Sequence, residues 1–219
     1  GDLAPRAAAI EQGNGLATAF NVTAFVLRHL EPQISGTIDQ EVNEVNRLVE
    51  SLASVNGKLR SSNLGASPPN ALMDERDRLI SEISQKVRIT VNYNPRFDVN
   101  IRLGEYSTGP VLLEGETSYK VQPILGDENG VSYKIGTSRV VKTLDDGGLK
   151  GLSTALSVIQ NTHSQVDALA DRSVRELNTA HGSGIDYDGE LGRSMFTARQ
   201  FDVAPDLKNS QDLNISVLT

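Results

Sequence analysis

From Leu149 to Leu177 the sequence places Leu149, Leu152, Leu156, Ile159, His163, Val166, Ala170, Val174 and Leu177 three or four residues apart, and only His163 among them is polar. That spacing lines one face of an α-helix. A strand, whose faces alternate every second residue, cannot use it. The pattern predicts a helix over about 149–181, about 50 Å long. A stripe of that length must be buried along other helices, so the chain is expected to fold around helix packing. Gly182 and Gly184 supply the stop.

Two further tracts share the period. Over about 16–60, Leu16, Phe20, Thr23, Leu27, Leu30, Ile34, Ile38, Val42, Val45, Val49, Leu52 and Leu59 keep it, with a gap at Asn56. Gly13-Asn14-Gly15 reads as the turn that opens this helix. Pro32 lacks an N–H and clashes with the carbonyl of Arg28, so it is expected to kink the helix or split it, with a continuous helix of about 28 residues after it. Over 70–86, after the turn-rich "SNLGASPPN", Asn70 reads as an N-cap, and Leu72, Leu79, Ile83 and Val87 fall on one face with Arg76 between them. Asp74 before Arg78 and Glu82 before Lys86 have the favourable acid-first order, each pair contributing a few tenths of a kcal/mol.

Between the second and third tracts the period shortens to two. "VRITVNY", "FDVNIRL", "YKVQPIL", "VSYKI" and "RVVKTL" read as strands, separated by turn signals such as "NPR" and "DENG". Pro123 suits an edge strand. The expected fold is α+β: an elongated antiparallel helical bundle with an antiparallel β meander inserted at 87–147. Residues 149–181 should lie alongside 34–60. Residues 1–182 are expected to form the bundle domain, and 183–219 a loop and β-rich segment that is the start of a second domain or a small second domain.

The composition removes whole classes of function. A net charge of −7 argues against a nucleic-acid face and against docking on an anionic membrane. The absence of cysteine excludes disulfides, thiolate zinc sites and a cysteine nucleophile. No apolar run approaches a membrane span of about 20 residues. No signal-peptide pattern opens the chain, and both ends read as cut, which marks a fragment of a longer protein.

Candidate chemistry is sparse. Asp74, Glu75, Arg76, Asp77 and Arg78 stand in a row, but consecutive helix positions fan outward and cannot converge on one site, so they read as a solvated face. Arg76 is the exception. Near the apolar edge, it is expected to latch a carboxylate on a neighbouring helix. "DYDGE" (186–190) resembles part of a calcium loop, but its Gly189 comes too early for an EF-hand, and a turn is expected. His29, His163 and His181 are isolated, with His163 read as a buried or edge histidine. "NVT" and "NIS" match the glycosylation tripeptide and carry no weight. No H-E-x-x-H, G-x-S-x-G or P-loop is present. The expected site residues are therefore none: no catalytic, cofactor-binding or metal-ligating group, and no cofactor.

Three blocks carry a family resemblance. "PNALMDERDRLISEISQKVRITV" resembles the helix-to-strand segment of the flagellar hook-associated protein 1 family (FlgK, hook–filament junction proteins), whose N-x-L-x-D-x-R-D-x-L pattern is matched by Asn70, Leu72, Asp74, Arg76, Asp77 and Leu79. "EVNEVNRLVESLASVNGKL" is similar to the family's preceding helix, with Val45-Asn46 and Val55-Asn56 in corresponding places. "LADRSVRELNTAHGSGIDYDGELGRSMF" resembles its N-x-x-H-x-x-G-x-D-x-x-G block through Asn178, His181, Gly184, Asp186 and Gly189. The resemblance implies a structural, non-enzymatic protein of the extracellular flagellum, exported by the flagellar type III system. Its implied partners are neighbouring axial subunits (itself, the hook protein, the second junction protein) and an export chaperone, with no nucleic acid and no membrane. It also implies a central fragment without the terminal polymerisation helices, and hence a monomer. The alternatives are another axial protein, such as the second junction protein or a flagellin, and a helical ligand-binding or sensory module.

Overall fold

The computed structural model describes residues 3–62, 69–127, 130–137, 139–185, 189–201 and 212–217. Three helices carry it: α1 (Leu3–Ser61), α2 (Asn70–Lys86) and α3 (Gly148–Gly182). The long tracts behave as their period dictates, with three corrections.

First, α1 starts well before Leu16, and Gly13-Asn14-Gly15 lies inside it. Gly13 is a close-approach residue and not a turn: a Cβ there would sit 2.9 Å from Met195 Cε and 3.2 Å from Phe196 Cζ. Second, α1 is continuous through Pro32. A proline removes one ladder bond, and in a helix this long many other bonds and contacts persist on either side of it. Third, Asn70 is the first helical residue of α2 and not its cap. Pro69 holds that place, and its carbonyl accepts the N–H groups of Leu72 and Met73 at 2.9 and 3.1 Å.

The inserted β region forms two antiparallel sheets. Strands β1 (Ile89–Tyr93), β2 (Val99–Leu103), β3 (Val111–Glu114) and β4 (Thr117–Ser118) make one, in that order. Strands β5 (Val121–Asp127), β6 (Gly130–Ile135) and β7 (Arg139–Val141) make the other. β3 and β4 carry too few residues for a period to show. Pro123 does lie on an edge strand, opposite Tyr133. A third pair, β8 (Phe196–Phe201) with β9 (Asp212–Val217), forms the β segment expected after residue 183.

The chain divides into two compact units, residues 32–158 and residues 1–31 with 159–219. In the first, one apolar cluster joins Ile38, Val45, Leu52 and Leu59 of α1, Leu79 and Ile83 of α2, both sheets, and Leu149 and Leu156 of α3. In the second, a smaller apolar cluster joins Ala17, Ala170, Val174 and Phe196, flanked by Phe20 and Met195. Here α1 and α3 run antiparallel: Gln160 Nε2 donates to Glu31 Oε1 at 2.8 Å, while Val174 and Leu177 face Leu16 and Phe20. The pairing of 149–181 with 34–60 therefore holds only for the first turns of α3. The rest lies along the part of α1 before Pro32, because α1 begins earlier than its large apolar residues suggest.

Candidate functional site

Asn56 fills the gap in the apolar stripe of α1 and is 0% exposed. A buried amide must find partners for every donor and acceptor. Its Nδ2 donates to the carbonyls of Val99 and Gly115 at 2.7 and 2.6 Å, and its Oδ1 accepts the N–H of Val99 at 3.0 Å. One side chain thus satisfies both backbone groups of a β2 residue. It does so where the β2–β3 register, which pairs Ile101 with Leu113, has run out. The asparagine stands in for a missing strand.

The same device recurs twice. Asn46 Nδ2 donates to the Val121 carbonyl at 2.9 Å, and its Oδ1 accepts the Val121 N–H at 2.8 Å. Gly136 N–H bonds the Lys120 carbonyl, so Val121 faces Ile135 in a non-hydrogen-bonded pair and turns its own N–H and carbonyl outward, toward α1. Two residues on, Pro123 has no N–H to offer. The outer edge of β5 is closed by a side-chain amide and a proline, which is how an edge strand is kept from pairing with another chain. On α3, Asn178 Nδ2 donates to the Phe196 carbonyl, and its Oδ1 accepts the N–H groups of Met195 and Phe196, all at 2.8 Å.

The rest of the third sequence block supports that last clamp. His181 Nδ1 lies 2.5 Å from the Arg193 carbonyl, which can only accept, so Nδ1 carries the proton. Gly192 N–H bonds the Gly184 carbonyl at 2.8 Å. A Cβ on Gly192 would sit 2.2 Å from the His181 carbonyl oxygen, so no other residue fits without moving the backbone. Asp186 lies outside the described residues.

Arg76 is a latch, but its partners differ from the expected ones. It is 7% exposed, and Nη1 donates to the Phe97 carbonyl at 2.6 Å. Its guanidinium carbon stands 5.0 Å from the Tyr93 ring centre. The carboxylate it holds is the adjacent Asp77, at 2.8 Å from Nε, and not one on another helix. Arg76 therefore ties α2 to the β1–β2 turn, where Phe97 adopts a φ of 66°. The other charges of that run are solvated. Arg78 bridges Glu75 and Glu82, and its pKa is raised, first by the hydrogen bond it donates to Glu75. Lys86 pairs across to Glu41 of α1 at 2.6 Å instead of with Glu82.

The arrangement holds backbone. Among the described residues no three His, Asp or Glu groups gather as metal ligands. His163 is buried on the α3 stripe, with Asp167 Oδ2 3.8 Å from its Nε2. Tyr133 is buried and hydrogen-bonded to Ser153 at 2.7 Å; burial pushes its phenol pKa up. No helix among the described residues is long and apolar enough to cross a membrane. In the sequence Asn46 and Asn178 stand out only through the resemblance, whereas Asn56 also shows as the polar interruption of an otherwise apolar face.

Comparison with known proteins agrees with this geometry. Residues 1–196 match the family described as the flagellar hook-associated protein FlgK helical domain. Flagellar hook-associated protein 1 of Escherichia coli K12 is 29% identical over 225 residues, covering 98% of this chain and 41% of that protein. The Salmonella typhimurium protein of the same name is 28% identical over 207 residues, covering 90% and 37%. The Bacillus subtilis one is 26% identical over 220 residues, covering 87% and 43%. The chain spans about two fifths of the length of these relatives.

Proposed function

The chain belongs to the FlgK helical-domain family, and from this premise we propose that it is a structural segment of the bacterial flagellum, an adaptor at the hook–filament junction. The observation that carries this is the family match, which embraces all three asparagine clamps. The architecture supports it. Helices α1 and α3 are long, and the three asparagine clamps fix strands to helices. A part that transmits load needs such fastening, whereas an enzyme needs converging titratable groups. The reading has no catalytic role for this chain. Its partners are neighbouring axial subunits and, before export through the flagellar type III system, a chaperone. Its place of work is outside the cell.

A row on α1 fits subunit contact. Val22, Phe25 and Val26 are three and four residues apart and so share one face, and they are 56%, 56% and 48% exposed. In the full-length parent, Val22→Ser with Phe25→Ser should leave the melting temperature of the monomer unchanged. In cells lacking the natural gene it should fail to restore filaments on the hooks, as seen by electron microscopy. Normal filaments would refute the contact. An early-melting monomer would assign the row to another segment of the same chain.

A further inference from the structure

We infer that Asn56–Gly57 is a deamidation site armed by unfolding and shut by the fold. Asparagine before glycine is the dipeptide most prone to this reaction, because no side chain shields the following amide. The Gly57 nitrogen attacks the Asn56 side-chain carbonyl carbon and forms a new C–N bond. The bond to Nδ2 breaks, ammonia leaves with the proton from the Gly57 N–H, and water opens the resulting succinimide to aspartate or isoaspartate.

Packing sets Asn56 and leaves Gly57 some freedom. Asn56 must be an amide, since it donates to two carbonyls and accepts one N–H. Gly57 lies against the β3–β4 turn, where a Cβ would stand 3.1 Å from Glu116 Oε2. In the folded chain the attack is blocked twice. The Asn56 amide is pinned by three hydrogen bonds, and the Gly57 nitrogen sits within α1. Neither constraint survives unfolding. The product cannot return to its place. An aspartate at 56 would press a buried carboxylate against the Val99 and Gly115 carbonyls with no proton to donate. An isoaspartate would add a methylene to the backbone of α1. Asn14–Gly15 is the built-in control. It has the same dipeptide in the same helix, but Asn14 is exposed and a Cβ on Gly15 would meet nothing within 4 Å.

The test is peptide mapping by mass spectrometry of the 219-residue chain, incubated at mildly alkaline pH with and without urea. In urea, Asn14 and Asn56 should deamidate at similar rates. In native buffer, Asn56 should slow by about tenfold or more, and by more than Asn14, in proportion to how rarely its segment opens. On removal of urea, chains modified at Asn56 should stay unfolded, while chains modified only at Asn14 refold. Gly57→Ala, which Glu116 can accommodate by moving its side chain, should restore the refolding yield after long incubation in urea. Equal loss of Asn56 in native buffer and in urea would overturn the proposal. So would full refolding of chains modified at Asn56, or a Gly57→Ala chain that refolds no better than the parent.

Discussion

The two units share two helices yet are packed in opposite ways. In residues 32–158, α1 is lined by Ile38, Val42, Val45, Leu48, Val49, Leu52 and Leu59, all essentially inaccessible to solvent, and is covered by α2 and two sheets. In residues 1–31, the buried positions of the same helix are Gly13, Ala17 and Ala24, while Val22, Phe25 and Val26 face outward. Small residues on the inside and large ones on the outside reverse the usual order. They bury little apolar area, so that end of α1 gains far less from its own chain. One unit is finished by its own core. The other leaves Val22, Phe25 and Val26 of α1 exposed.

Leu52→Ala tests the first half of that contrast. Leu52 is 0% exposed, so truncation removes buried methyl groups and leaves a cavity, at a cost of about 2–5 kcal/mol. Val174→Ala in the thin cluster should cost only about 1 kcal/mol, since neighbours there can close over the gap. Hydrogen exchange should show the same gradient in the unmutated protein, with amides of residues 38–59 protected far longer than those of residues 5–25. Equal protection along α1 would dissolve the distinction between the units.

The clamps come next. Asn56→Ala strands the N–H and carbonyl of buried Val99 and takes a partner from the half-buried Gly115 carbonyl, and should cost about 3 kcal/mol. Asn178→Ala removes as many bonds, but near the surface, where water can replace them. It should speed exchange at Met195 and Phe196 while leaving the urea midpoint of residues 32–158 in place. An Asn178→Ala chain that loses both units together would show that they unfold as one.

The periodic parts of this architecture were legible because packing and period are the same fact. A stripe from Leu149 to Leu177 must be a helix, and "VSYKI" between turn signals must be a strand. What escaped was governed by single close contacts. Gly13 looks like a turn in the sequence and is a helical glycine because Met195 and Phe196 press on it from far along the chain. Leu16 carried the period while its neighbour Ala17 took the buried place. Arg76 was legible as a latch from its apolar setting, yet its partner was not, because a backbone carbonyl at Phe97 has no signature in the sequence. The clamping asparagines are the same case: an amide facing a strand end looks like any polar residue until the strand is placed.

Arg76→Gln, the next smaller effect, should cost about 2 kcal/mol, from the lost bond to the Phe97 carbonyl and the lost cation–ring contact with Tyr93. Lys at 76 should rescue little, since a point charge cannot reach both Asp77 and Phe97 in a fork. Tyr133→Phe is milder still, about 1 kcal/mol at neutral pH from the Ser153 bond. Its clearer mark is on the alkaline side. Burial raises the Tyr133 pKa in the folded chain above its unfolded value near 10. The stabilisation is therefore complete below about pH 10 and is lost as pH rises through the folded pKa. The variant should flatten that alkaline fall in a melting-temperature series.

The smallest effect completes the comparison on the scale of one helix turn. Arg76 and Arg78 are the same residue type two positions apart. Arg78 makes more ion pairs, with Glu75 and Glu82 both in reach. Yet its side chain and both partners are in water, where side-chain ordering and screening cancel most of the attraction. Arg78→Gln should leave the melting temperature unchanged, with or without added salt, while Arg76→Gln lowers it. If instead Arg78→Gln melts early and salt reproduces its effect, the charge run on α2 is a stabilising network. Burial would then be the wrong quantity by which to rank the side chains of either unit.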